Sequence, residues 1–333
     1  MSRLHEFIVT EAEAGRRLSS VLMKGRGVSR RLVRRVIAND TFYLNGQPVP
    51  LSVHVAAGDR ITFVMPEASE SVTPEPMPLD ICYEDDDVIA INKPAGVLTH
   101  PTARERTGSL LAGVAYHLQK EGRTPHAVHR LDKFTSGAIL YAKHTHAHHR
   151  LDQALRNGRV HRRYMALAYV PFDVPMGQWL RMEDRIVQDP EKPSRRVIGT
   201  QDEGDLAVTH AMPIARVNHM MLFLFRLETG RTHQIRLQMA SRGMPLVGDR
   251  DYTFAYANIG DPVGKAAYYE RVFPHQALHA YELSWQVQVD GDLRVAYASV
   301  PQALEELWAL SGGKQPLAEW LRSTPSNQPS ERN

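Results

Sequence analysis

An α+β fold with a mixed sheet, preceded by a small α/β unit, is the architecture that this chain of 333 residues predicts. Three observations carry it. Segments with strand character outnumber those with helical spacing. The connections between them vary in length, which argues against a repetitive βαβ array. The stretch PEASESVTPEPMP (66–78) holds four prolines and no apolar periodicity, the composition of an extended linker. The length allows two or three domains. The boundaries read as residues 1–65, a linker at 66–78, a large domain at 79–311 and a tail at 312–333, whose last residues, STPSNQPSERN, have a disordered composition.

Within the first unit, SRRLVRRVIAND (29–40) sets Leu32, Val33, Val36 and Ile37 at helical spacing, with Ser29 placed to cap the N-terminus. Arg30, Arg31, Arg34 and Arg35 occupy the opposite face. Four like charges on two turns repel one another, and a phosphate backbone would neutralise them, so RNA contact is favoured over a merely solvated face. TFYL, the turn Asn45-Gly46 and RITFV (60–64), introduced by Gly58-Asp59, read as strands and turns.

The large domain opens with DICYEDDDVIAINKPAG, read as a strand, a charged turn and a second strand ending at Lys93-Pro94. GAILYAK (137–143) reads as a strand. HAHHRLDQALRNG (146–158) reads as a helix with Ala147, Leu151, Ala154 and Leu155 inward, stopped by Asn157-Gly158. RRYMALAYV (162–170) and MLFLFRLE (221–228) are further strands.

Composition narrows the function classes. The hydrophobic fraction of 43% supports a sizeable core, and net charge is only +3, with arginines clustered locally. That balance is compatible with an RNA partner without demanding one. Cys82 is the sole cysteine, which excludes an intramolecular disulfide and fits a reducing compartment. No apolar run approaches the roughly 20 residues of a membrane span, and MSRLHEFIVTEAE lacks a secretory layout. A soluble, cytoplasmic protein is expected, with no membrane association, no predicted protein partner and a monomer as the default.

Two segments concentrate chemistry. HRLDKFTSG (129–137) places four polar or charged groups before the apolar run AILYA. Asp132 is either a turn residue bonding nearby backbone or a carboxylate held at the mouth of a site. No G-x-S-x-G elbow accompanies Ser136, so serine hydrolysis has little support. His144, His146, His148 and His149 offer one i,i+4 pair but no H-E-x-x-H and no cysteine, so surface histidines are favoured over a metal site. The second segment, LETGRTHQIRLQMASRGMPLVGD (227–249), reads as a Thr-Gly turn and then a helix carrying Arg231, His233, Gln234 and Arg236, donors suited to a carboxylate, a phosphate or a base edge.

These segments, with INKPAGVLTHP (91–101) before them and RRYMALA (162–168) between them, resemble the RluA-type family of pseudouridine synthases over most of residues 79–290. GRRLSSVL, VSRRLVRRVIAND, LNGQPV and GDRI, within residues 15–64, resemble an S4 RNA-binding domain. The resemblance implies a largely antiparallel central sheet and conversion of uridine to pseudouridine in structured RNA without metal or other cofactor. Ribosomal RNA of the large subunit is the favoured substrate and transfer RNA the alternative. It also implies that the target is flipped out of its stack. It places the essential carboxylate on Asp132, acting either at C1′ or on a ribose proton. It gives Asp132 a guanidinium partner in Arg236, with Arg231 as second choice, and a stacking or C5-deprotonating ring in Tyr164. It assigns Arg130 to the RNA backbone or the vacated space, His129 to orienting the loop and Leu278 to the apolar wall. Arg163 and Gln238 depart from the family's usual lysine and histidine, and residues 249–276 form a long connection read as a substrate-specific loop.

Two other classes compete. A non-catalytic RNA-binding assembly factor would keep the arginines without needing Asp132, Tyr164 and Arg236 together. A hydrolytic N-glycosidase would release free uracil.

Overall fold

The computed structural model describes residues 3–26, 28, 33–34, 36–37, 41–65, 72–200, 202–257 and 260–323. The chain divides into two compact units, Met1–Val72 and Thr73–Asn333.

In the first unit β1 (Arg3–Ile8), β2 (Phe42–Leu44), β3 (Gln47–Val49) and β4 (Arg60–Met65) form an antiparallel sheet in the order β1-β4-β2-β3. Asn45 and Gly46, at φ 52° and 81°, supply the two left-handed residues that a two-residue hairpin needs. The short helix α1 (Leu18–Ser20) places Leu18 in a core with Leu22, Val36, Phe42 and Ile61. The described part of the 29–40 segment, residues 33–34 and 36–37, is helical, with Val33 and Val36 buried and Arg34 exposed. Ile37, expected inward, is 52% exposed, because one further helical step rotates it past the edge of the buried face. Arg30, Arg31 and Arg35 lie outside the described residues, as do Ser29 and Leu32.

The second unit runs β5 (Ile81–Glu84), β6 (Val88–Lys93), α2 (Leu110–Leu118), β7 (His126–Ala127), β8 (Ser136–Ala142), α3 (Thr145–Arg156), β9 (Val160–Tyr169), β10 (Leu180–Gln188), β11 (Arg196–Ile198), β12 (Asp205–Val217), β13 (Met220–Leu227), α4 (Gln234–Ala240), α5 (Ala266–Tyr269), β14 (Leu278–Trp285), β15 (Arg294–Tyr297), α6 (Gln302–Leu310) and α7 (Leu317–Ser323). The main sheet path is β11-β10-β12-β13-β9-β14-β8-β6-β5, with β15 on β14 and β7 on β8. Its pairings are antiparallel except β8 with β14. The fold is therefore α+β with a large, mostly antiparallel sheet.

The near-solid apolar runs of β9 and β13 follow from burial on both faces. Tyr164, Ala166 and Ala168 share one core with Phe223 and Phe225, closed by Val114, Ile235 and Met239 from α2 and α4. Met165, Leu167 and Tyr169 share the other with Leu222 and Leu224, closed by Leu307, Trp308 and Leu317 from α6 and α7.

Where β8 meets β14, Gly137 has φ +115°, and a β-carbon there would lie 2.6 Å from the Ala280 carbonyl carbon. Only glycine allows this approach, and it fixes the end of HRLDKFTSG against the sheet.

One expectation is adjusted. Residues 73–78 belong to the second unit, because the Glu75 amide donates to Ala112 O at 3.1 Å and Met77 and Leu79 pack on the core. Proline-rich chain can pack as an extended strip. The tail is ordered through Ser323: the amides of Leu317 and Ala318 donate to Glu305 at 2.8 and 2.9 Å, and Trp308 Nε1 donates to Gln315 O at 3.0 Å. Residues 324–333 lie outside the described residues. The described part of 249–276 is a packed cover: Tyr169 donates to Asp261 at 2.6 Å and stacks on Tyr269 at 4.7 Å, with Phe254 and Phe273 buried beside them. Among the described residues no helix is long and apolar enough to cross a membrane.

Candidate active site

The turn reading of HRLDKFTSG is real: the Thr135 amide donates to Asp132 O at 3.0 Å. Both neighbours of Asp132 are anchored. Leu131 exchanges hydrogen bonds with the Thr99 hydroxyl at 3.0 and 3.2 Å. The Lys133 carbonyl accepts from Lys93 Nζ at 2.9 Å and from the Gly96 amide at 2.9 Å. Lys93 is fully buried, and its Nζ also donates to Pro94 O and Val97 O. Three carbonyl acceptors match the three N–H groups of an ammonium. Burial pushes Lys93 down to about 7, against the pull of Asp132's charge. With its backbone so held, Asp132 has its side chain 17% exposed, at a cavity of about 390 Å³.

The opposite wall comes from the TGRTHQIR segment. Its helix, α4, begins only at Gln234, with His233 as N-cap at φ 58°, so Arg231 sits in the preceding loop rather than on the helix. Arg236 is buried on the first turn. Its Nε and Nη2 donate to Asp249 at 2.6 and 2.8 Å, Nη2 also to Asp251 at 3.2 Å, and Nη1 faces Asp132 at 3.5 Å. Arg236's pKa is raised: burial opposes its charge but is outweighed by Asp249, Asp132 and Asp251. His233 Nε2 stands 4.0 Å from Asp132, and its Nδ1 lies 2.9 Å from the Tyr252 hydroxyl, which accepts from the Arg196 amide at 2.7 Å. Burial pushes His233 below the ordinary imidazole range.

His129, Arg130, Asp132, Tyr164, Arg231, Arg236 and Leu278, drawn from four separated segments, all line this one cavity. Tyr164 and Leu278 come from the neighbouring strands β9 and β14. Burial raises the Tyr164 phenol above its ordinary value. His129 is buried, accepts from the Leu140 amide at 3.2 Å and is pushed down to about 3 by burial and the charge of Arg162. It is a neutral brace for the loop. Arg130 is exposed at the rim. Arg231 is turned away from Asp132, its Nε donating to Leu206 O at 3.0 Å and its Nη1 3.5 Å from Asp205, which leaves Arg236 as the guanidinium beside the carboxylate.

Sequence reasoning missed Lys93, Asp249, Asp251, Tyr252 and Arg162 as parts of this region. The first four act by holding other residues, and no spacing rule marks them. His144, weighed as a metal ligand, caps α3 by accepting from the Ala147 amide at 3.2 Å and lies 3.2 Å from Asp87. Gln238 is fully buried, accepts from Thr209 at 2.6 Å and donates to Asp184 at 2.8 Å, a set that suits an amide. Arg163 points to the other face, pairing with Glu282 at 3.2 Å.

The chain belongs to the RNA pseudouridylate synthase family and is an RNA pseudouridine synthase. A family model described as RNA pseudouridylate synthase matches residues 87–241, from the turn before β6 to the end of α4. The chain is 35% identical to the uncharacterized RNA pseudouridine synthase YhcT of Bacillus subtilis, over 91% of this chain and 95% of that protein. It is 36% identical to the ribosomal large subunit pseudouridine synthase D of Neisseria meningitidis, over 88% of this chain and 78% of that one. Among solved structures, human RNA pseudouridylate synthase domain containing 4 matches with a TM-score of 0.55 at 20% identity, over 69% of this chain and 91% of that one, a likeness of fold.

Proposed function

We propose that the protein converts uridine to pseudouridine in large-subunit ribosomal RNA, with Asp132 as the essential carboxylate. The observation that carries this reading is the meeting of Asp132 with Arg236 at 3.5 Å in a cavity that also holds the Tyr164 ring and the Leu278 side chain. A flipped uracil needs a flat aromatic face and an apolar wall, and stacking on an aromatic is worth roughly 1–3 kcal/mol, comparable with the cost of flipping. Tyr164 and Leu278 supply these surfaces.

In the reaction the N1–C1′ bond breaks, the uracil turns, C5 bonds to C1′, and the proton lost from C5 is balanced by one gained at N1. Asp132 begins it, attacking C1′ or taking a ribose proton, and the Arg236 guanidinium at 3.5 Å holds its direction. The N-terminal unit, with Arg34 exposed on its helical segment, is read as an S4-like grip on the same RNA. Ribosomal RNA is favoured because relatives spanning most of this chain are named for the large subunit.

Mapping pseudouridines across ribosomal and transfer RNA, in cells with and without this gene, tests the reading. Loss of large-subunit sites supports it. Loss confined to transfer RNA moves the substrate, and no lost site removes the claim for cellular RNA.

A further inference from the structure

Five arginines line the cavity. Among the guanidiniums lining it, Arg236 is gripped by Asp249, Arg156 pairs with Asp152 at 3.0 Å and Arg231 lies 3.5 Å from Asp205. The side chains of Arg130 and Arg162 have no hydrogen bond or ion pair among the described residues, and they differ in setting. Arg130 is an exposed rim residue, whereas Arg162 is half-buried and its Nε is fully buried without a partner. A buried donor left unpaired is costly and calls for an explanation.

The chain also makes room for this side chain. A β-carbon at Gly230 would collide with Arg162 Nη1 and lie 3.3 Å from Cζ. Gly230 is not among the residues with positive φ, so its backbone does not require glycine, and a β-carbon there would instead displace the end of the Arg162 side chain. The Arg162 guanidinium lies against the open side of the glycine of TGRTHQIR.

We infer that Arg162 binds a backbone phosphate of the target nucleotide, a reading that rests on the proposed flipping of a uridine into this cavity. Arg162 and Tyr164 lie two residues apart on β9, hence on one face and roughly 6.6 Å apart along the strand. A base stacked at Tyr164 would therefore carry its ribose and phosphate outward past Arg162. Uracil is neutral and offers single carbonyl acceptors, whereas a phosphate supplies both the missing charge and paired oxygens that match a guanidinium fork. Arg130 is then free for a different part of the RNA.

The test is the dependence of KM on salt, measured with the full chain and a ribosomal RNA transcript containing a mapped target uridine. Modification of that transcript by the wild-type protein checks the parent reading on its own. Arg162→Gln is expected to raise KM about tenfold, with kcat changed less, and to reduce the slope of log KM against log salt by about 0.7, the value for one single-strand phosphate contact. Arg162→Lys keeps the slope. Gly230→Ala retains the charge but unseats the guanidinium, so it reproduces both the KM rise and the reduced slope. An unchanged slope in Arg162→Gln overturns the assignment. Should that variant not fold, an unchanged slope in Gly230→Ala does so instead. A KM rise with no slope change would mean a contact to the base.

Discussion

Asp249 grips Arg236 at two points, accepting from Nε at 2.6 Å and from Nη2 at 2.8 Å, and the Asp249 side chain is wholly buried. The grip fixes the plane of the guanidinium and leaves Nη1 turned to Asp132. Asp249 is thus a positioning residue for the carboxylate, acting through Arg236.

Asp249→Asn keeps the shape and removes the charge. Breaking a buried ion pair from one side costs about 3 kcal/mol, expected as a lowered midpoint in urea unfolding. Loss of alignment at Asp132 is expected to lower kcat about tenfold, the equivalent of one charge-assisted hydrogen bond of about 1.5 kcal/mol. Unchanged kcat in the folded variant would show that Asp249 does not aim Arg236.

Lys93 gives the fold a pH dependence with a definite sign. Burial lowers its folded value from 10.5 to about 7, although Asp132 opposes the shift. Above about pH 7 the folded protein releases this proton while the unfolded chain retains it. Stability then rises with pH until the unfolded lysine also titrates, by at most about 1.4 kcal/mol per unit. Below the folded value the penalty of the buried charge is present in full. Urea unfolding from pH 6 to 9 is expected to show this rise in the wild type, with Lys93→Met lacking the increment. Parallel curves for the two proteins would contradict it.

Gly137→Ala is expected to be severe. The left-handed backbone costs a side chain about 1–2 kcal/mol, and contact with the Ala280 peptide adds a further 1–3 kcal/mol of overpacking. The variant should lose β8–β14 pairing and accumulate as unfolded or aggregated protein. A melting temperature near that of the wild type would show that the sheet accommodates the methyl group.

The residues legible from sequence are those that meet the cavity, and the illegible ones are those that hold them. HRLD, RRY and TGRTHQIR are local patterns whose side chains converge because β8, β14, β9 and β13 are neighbours in the sheet. Periodicity found β8, α3, β9 and β13 to within two residues or so, because their burial follows the chain regularly. It did not find β10 and β12; in β10 the inward face of Met182 and Ile186 is interrupted by the charged Asp184. Asp249 was invisible because its meaning depends on Arg236, thirteen positions earlier on another element. The proline-rich strip 73–78 was misjudged because composition reports flexibility, whereas its order comes from tertiary contacts such as that with Ala112.

The Asp132 carboxylate is the central group of the proposed reaction, and Asp132→Asn tests it most directly. The amide keeps the size and the position beside Arg236 but can act neither as nucleophile nor as base. Single-turnover pseudouridine formation is to be measured on a ribosomal RNA transcript, alongside binding of the same transcript. Loss of product with binding retained is the predicted result. Modification at the wild-type rate would contradict the account.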